Sequence, residues 1–158
     1  MYADGEDVPG TGTHRTAGER PAPDDLDLSF PALAEQLSPV RRRVRGWLDQ
    51  CPMSAARAGD VLLAVSEACT NAVEHGHRGD GGTIRVRTAV HGRDLHVAIT
   101  DRGRWRVHHG APDPMRGRGL AIIRSVIADV VVTTGDSGTT VDLRTPLEPA
   151  ERGGGAIP

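Results

Sequence analysis

Between about residues 26 and 147 the chain switches repeatedly between two apolar rhythms, a period of two and a period near 3.6, and the switches mark out its elements. Leu26, Leu28 and Phe30 alternate with Asp27 and Ser29 and stop at Pro31, which predicts a short edge strand. Ser38-Pro39 carries a helix-start signature, with Ser as N-cap and Pro at the first helical position, and Val40, Val44, Trp47 and Leu48 then recur at helical spacing. Cys51-Pro52 breaks that helix. Ser54 can cap a second one, which runs to about His75 with Gly59 as a weak point inside it and Gly76 as its expected stop. Ile84, Val86 and Val90 alternate again, His91-Gly92-Arg93-Asp94 turns the chain, and Leu95, Val97 and Ile99 complete a hairpin with one apolar face. Residues 104–114 have no period and predict a lid or an insert. Ala121, Ile122, Ile123, Val126 and Ile127 predict a buried helix, and 130–133 and 140–145 flank Gly135-Asp136-Ser137-Gly138 as a second hairpin. This order of elements predicts an α+β fold: a two-layer sandwich with a mixed, mostly antiparallel sheet and helices on one face.

Composition trims this domain at both ends. Residues 1–25 and 148–158 contain little to bury, so they are expected to be disordered tails around a domain spanning 26–147. The first 25 residues carry six acids against two arginines, a balance of −4 where the whole chain has −2, so the remainder is slightly basic. Nucleic-acid binding calls for a clustered basic field and aromatic platforms, and aromatic residues make up only 3% of the chain. No apolar run reaches bilayer-spanning length and the N-terminus has no signal-type start, so the expected location is the cytoplasm. Cys51 and Cys69 lack metal-ligand spacing and are expected to be reduced thiols.

Candidate chemistry lies in three segments. A helix advances about 100° per residue, so Glu67, Asn71 and His75 share one stripe beside the apolar stripe of Val61, Val65, Ala68, Cys69 and Ala72. Asn is unfavourable inside a helix, yet its amide oxygen can ligate a hard cation such as Mg²⁺, and a carboxylate one turn away can deprotonate a hydroxyl or water. The plainer alternative is a solvated helix edge. Asp101-Arg102-Gly103 ends a strand at the sheet's rim, either as an ordinary turn or as a place where a ligand meets a carboxylate and bare backbone. Gly117-Arg118-Gly119-Leu120 opens a helix. Such a glycine pair offers unhindered N–H groups at a positive dipole end, with Arg116 and Arg118 adding charge, or serves only close packing. His75 and His77 lack a third ligand nearby, which argues against zinc. Arg41, Arg42, Arg43 and Arg45 form either a solvated helix face or a contact face for an acidic protein.

In this order the segments resemble the GHKL, or Bergerat-fold, ATPases: Glu67-x-x-x-Asn71-x-x-x-His75 is similar to the N box, Asp101-x-Gly103 to the G1 box, Gly117-x-Gly119-Leu120 to the G2 box and Gly138-Thr139-Thr140 to the closing Gly-Thr element. The wording of residues 65–75 and 116–120 is most similar to anti-sigma-factor serine kinases of the RsbW and SpoIIAB type. The resemblance implies ATP and Mg²⁺ as cofactors, with Asn71 as metal ligand, Asp101 accepting from the adenine amino group, Gly103 leaving room for the base and Thr139 supporting Asp101. It also implies phosphate contacts from the amides around Gly117 and Gly119, with Arg118 as added charge and His75 and Leu120 completing the nucleotide motifs. Glu67 would be the general base toward a serine of an anti-anti-sigma (STAS-type) partner, and a sigma factor would be sequestered by the same protein, expected to be a homodimer. A nucleotide-binding, partner-switching module with little phosphotransfer is the alternative. Two departures stand out: Trp105 occupies the place where many members have a second G1 glycine, either capping the adenine pocket or packing the lid root, and 106–115 match no assigned pattern. No helical hairpin with an acceptor histidine precedes the domain, which argues against a histidine kinase, and the length leaves no room for the transducer domain of gyrase-like ATPases.

Overall fold

The computed structural model describes residues 22–77, 82–102 and 118–148, the side chains of 75–77 excepted. Five strands, β1 (Leu26–Pro31), β2 (Thr83–His91), β3 (Asp94–Asp101), β4 (Asp129–Gly135) and β5 (Gly138–Pro146), form one sheet in the order β1-β2-β3-β5-β4. Every neighbouring pair is antiparallel. Three helices, α1 (Ala34–Leu48), α2 (Ala55–Asn71) and α3 (Arg118–Val126), cover one face.

Strand register decides which side chains meet the helices. Leu28, Val86, Ile99, Val141 and Val132 form one inward row across the sheet, and Leu26, Thr88, Val97, Leu143 and Val130 form the next. Side chains alternate between faces with a period of two. The same parity therefore makes Phe30, Ile84, Asp101 and Thr139 a third inward row, at the rim of the helix-covered face. Its two polar members stand where the apolar core runs out.

The helices supply the other half of that core: Val40, Val44, Trp47 and Leu48 from α1, six residues from α2, and Ile123 from α3. Ile127 follows α3 into the core, while Ala121 is exposed and Ile122 and Val126 are half-buried, so this helix is one-sided where its apolar run suggested full burial. The opposite sheet face is polar. Arg85 grips Asp27 through two nitrogens, one at 2.8 Å, and Arg144 reaches Asp94 at 2.5 Å. These guanidinium bonds hold both carboxyls below their ordinary pKa range.

Three local expectations change. First, α1 begins at Ala34 rather than at Ser38-Pro39, with Leu33 extended as N-cap and Gln36 N–H bonded to Leu33 O at 3.0 Å. Starting earlier brings Leu37 against the core, and that packing outweighs the cost of Pro39 in the second turn, where the missing N–H leaves an exposed carbonyl to water. Second, α2 runs through Gly59 but loses α geometry after Asn71: Ala72–His77 is π-helical, so Gly76 lies inside the last helical turns. A π segment advances less per residue than an α-helix, so the stripe of Glu67 and Asn71 does not continue unchanged to His75. Third, both edges of the expected tails are tied down. Trp47 Nε1 donates to the Asp24 carbonyl at 2.6 Å, and Glu148 accepts from Ser54 N–H and Oγ, both at 2.9 Å. Ser54 caps α2 as expected, its hydroxyl accepting from Arg57 N–H.

Thr88 is out of place in its apolar row. It is 1% exposed, and its hydroxyl has no hydrogen-bond partner among the described residues. A buried, unpaired polar group is destabilising, while Val has nearly the same shape. Thr88→Val should therefore raise stability by about 1 kcal/mol, read as a higher urea midpoint at unchanged slope; an equal or lower midpoint would mean that the hydroxyl is satisfied in solution.

Candidate functional site

Residues from α2, α3 and the β3–β5 ladder build the site. On the helical side, Glu67 and Asn71 lie one turn apart near the end of α2, and both are half-buried. Gly119, in the first turn of α3, packs against the Asn71 side chain. A Cβ built on Gly119 would lie 2.6 Å from Asn71 Nδ2, 2.8 Å from Oδ1 and 3.0 Å from Cγ. The first two distances are shorter than real Cβ contacts and the third is at the tight limit, so a side chain at 119 would force the Asn71 amide to shift. Arg118 beside it is exposed, and Leu120 is half-buried.

On the sheet side, Asp101 and Thr139 are directly paired across β3 and β5, and each is 4% exposed. The Thr139 hydroxyl has no hydrogen-bond partner among the described residues. Gly138, one residue before it, has φ +124°, and a Cβ there would lie 1.9 Å from the Asp101 carbonyl oxygen. The turn between β4 and β5 is thus pressed onto the end of β3 at the point where the chain leaves the sheet. The two halves are linked by α2, which packs on both α3 and β3.

The structure brings Asn71 onto Gly119 and Asp101 onto Thr139 and Gly138. Gly103, Gly117, Trp105 and the expected lid, together with the His75 side chain, lie outside the described residues. Sequence spacing gave no sign of one contact beside Glu67. Arg41 Nε donates to Ser66 Oγ at 3.0 Å, and Ser66 Oγ donates to the Leu62 carbonyl at 2.6 Å. This ties α1 to α2 at the residue before the carboxylate. Arg42, Arg43 and Arg45 are exposed and have no ion pair among the described residues.

The chemistry available is set by these groups. Burial pushes the Cys69 thiol up to about 12 and the Cys51 thiol to about 11, which disfavours the reactive thiolate in both. No cluster of three or more His, Cys, Asp or Glu suited to a metal occurs among the described residues. The donor set does suit a nucleotide carrying its own cation. It offers an amide held in place by packing, a rim carboxylate beside a buried hydroxyl with no partner among the described residues, and the first turn of a helix near that amide. A shallow trough of about 580 Å³ lies on the other sheet face, near Arg87, Ala98 and Asp142, and no residue of the four motifs lines it. No described helix is long and apolar enough to cross a membrane.

Comparison with known proteins gives the same geometry a context. The family model for the histidine kinase-like ATPase domain matches residues 30–145. The serine-protein kinase RsbW of Bacillus licheniformis is 30% identical over 137 residues, covering 77% of this chain and 85% of that protein. The anti-sigma F factor of Clostridium acetobutylicum is 32% identical over 78 residues, 49% of this chain and 54% of that one. Among solved structures, the RsbU and RsbW domains of Rv1364c from Mycobacterium tuberculosis superpose with a TM-score of 0.64 at 28% identity. That match covers 78% of this chain and 32% of the larger protein.

Proposed function

The chain belongs to the histidine kinase-like ATPase domain family, among relatives named as RsbW serine-protein kinases, and from that premise we propose that it is an ATP-dependent serine kinase acting as an anti-sigma regulator. Its substrate is a serine on a STAS-type anti-anti-sigma protein, and it sequesters a sigma factor until that antagonist competes. The observations that support this reading most are the packing of Asn71 on Gly119 and the pairing of Asp101 with Thr139 at the end of β3. A solvated helix edge would have no reason to hold an amide so closely.

When bound, ATP supplies the phosphoryl group and Mg²⁺ the charge neutralisation that phosphoryl transfer needs. The protein's part is positioning. Asn71 offers its amide oxygen to the metal, Asp101 accepts from the adenine amino group, and the Thr139 hydroxyl supports Asp101 through water. Gly103 leaves room for the base. The amides around Gly117 and Gly119 hold phosphate oxygens at the start of α3, with Arg118 as added charge. Glu67 takes the proton from the attacking serine hydroxyl. The exposed Arg42, Arg43 and Arg45 offer three unpaired cations to an acidic protein surface. The setting is the cytoplasm, where sigma factors work, and the assembly is a homodimer.

The test is incubation with radiolabelled ATP, Mg²⁺ and each candidate STAS protein. Label on a partner serine is the expected result; stable binding without label would replace the kinase by a nucleotide-dependent binding module. Asp101→Ala should abolish labelling by weakening ATP binding at least tenfold, about 1.4 kcal/mol, with the circular dichroism spectrum unchanged. Unaltered ATP affinity would remove Asp101 from the adenine site.

A further inference from the structure

We infer that Gly119 is a positioning residue for Asn71: by lacking a side chain it lets α3 rest on the carboxamide and fix where the amide oxygen points. The inference rests on the nucleotide reading above but assigns this glycine a task separate from offering its backbone to phosphate. Three atoms of the Asn71 side chain, Nδ2, Oδ1 and Cγ, lie within 3.0 Å of where a Cβ at 119 would stand. The whole amide is therefore blocked, not only its tip. Asn71 ends the α-helical part of α2, immediately before the π-helical segment, so its backbone is held on the N-terminal side by regular helix and its own χ angles are the only easy way out. Adding a methyl group at 119 would turn the amide away while leaving the rest of the fold in place. The contact is also specific to this glycine. A Cβ at Gly46 or Gly59, the glycines inside α1 and α2, would meet nothing within 4 Å.

The consequence is a coupling between two positions that are 48 residues apart. In the wild-type background, Gly119→Ala clashes with Asn71, and the clash outweighs the gain in helix propensity that Ala brings. In an Asn71→Ala background the space is free and only the propensity gain remains. Gly119→Ala is thus expected to lower the melting temperature of the ligand-free protein by about 3 °C in the wild type and to raise it, or leave it unchanged, in Asn71→Ala. Nucleotide binding gives the second readout. Measured with a fluorescent ATP analogue, with and without EDTA, Gly119→Ala should lose at least tenfold of the gain in affinity that Mg²⁺ confers, matching Asn71→Ala. The double variant should be no worse than Asn71→Ala alone.

Additive losses in the double variant, or a Mg²⁺ gain that survives Gly119→Ala, would overturn the inference. If Gly119→Ala fails to fold, recovery of folding in the double variant supports the contact, and failure of both refutes it. Should the wild type bind no nucleotide, the proposed function falls, while the sign change in melting temperature still decides the inference.

Discussion

Replacing Glu67 by Gln or Ala is expected to lower serine phosphorylation by about 10²-fold or more, the range for a lost general base, while ATP affinity stays within about twofold of wild type. In free-energy terms this is at least about 2.7 kcal/mol of transition-state stabilisation with no ground-state counterpart. The reasoning is geometric. Glu67 is half-buried one helical turn before Asn71, so the carboxylate and the amide share one edge of α2. The residue before it is fixed from two sides, by Arg41 and by the Leu62 carbonyl, which limits how far that turn can relax. Gln keeps the shape and helix propensity of Glu but cannot take a proton, so it separates proton transfer from packing. The measurement is single-turnover transfer of labelled phosphate to the partner serine, with nucleotide affinity determined in parallel. Equal rates in variant and wild type would take Glu67 out of the chemistry and leave the site as a binder.

Much of the fold could be read from the chain because one-sided sheets impose a period of two. Leu26 to Phe30, Ile84 to Val90 and Leu95 to Ile99 follow it, and each takes its place in the observed register. What escaped were features set by tertiary contacts rather than local pattern. The start of α1 moved five residues upstream because packing Leu37 against the core counts for more than the capping preference of Ser38, and nothing local encodes that comparison. The π-helical turn after Asn71 is likewise silent in a string of ordinary helix formers. Thr88 was passed over because a Thr between Val86 and Val90 fits a strand whether or not its hydroxyl finds a partner.

The site divides along the same line. Its candidate groups, Glu67, Asn71, Asp101 and Thr139, could be singled out because Asn is unfavourable inside a helix and the order of the four resembles a family motif. The role of each glycine was not legible, because a glycine advertises only freedom and not its neighbour. Gly119 faces a side chain 48 positions away, and Gly138 faces a carbonyl on another strand. The sequence suggested turn and anion functions for them, and the packing adds that they act as steric permits for the positions of Asn71 and Asp101.

That second permit leads to the largest effect expected on stability. Gly138→Ala should destabilise the protein by about 2–6 kcal/mol, combining backbone strain of about 1–3 kcal/mol with a similar overpacking cost. Its φ of +124° is one that a side-chain-bearing residue rarely adopts, and the added Cβ would lie 1.9 Å from the Asp101 carbonyl oxygen and 2.8 Å from Arg102 Cα. Both obstacles are backbone, so no rotamer change can relieve them. The end of β3 has to move, and Asp101 with it. Gly92 provides the matched control: its φ is also positive, at 63°, but a Cβ there meets nothing within 4 Å. Gly92→Ala should cost only about 1 kcal/mol of left-handed strain and leave ATP affinity alone, because the β2–β3 turn is at the opposite end of β3 from Asp101. Gly138→Ala should lose ATP affinity even at temperatures where it is fully folded. Urea melts of the two variants beside wild type, with nucleotide titrations on the folded samples, separate the two contributions. If Gly138→Ala proved as mild as Gly92→Ala in both, the close approach of the β4–β5 turn to Asp101 would not exist in solution, and Asp101 would owe its position to β3 alone.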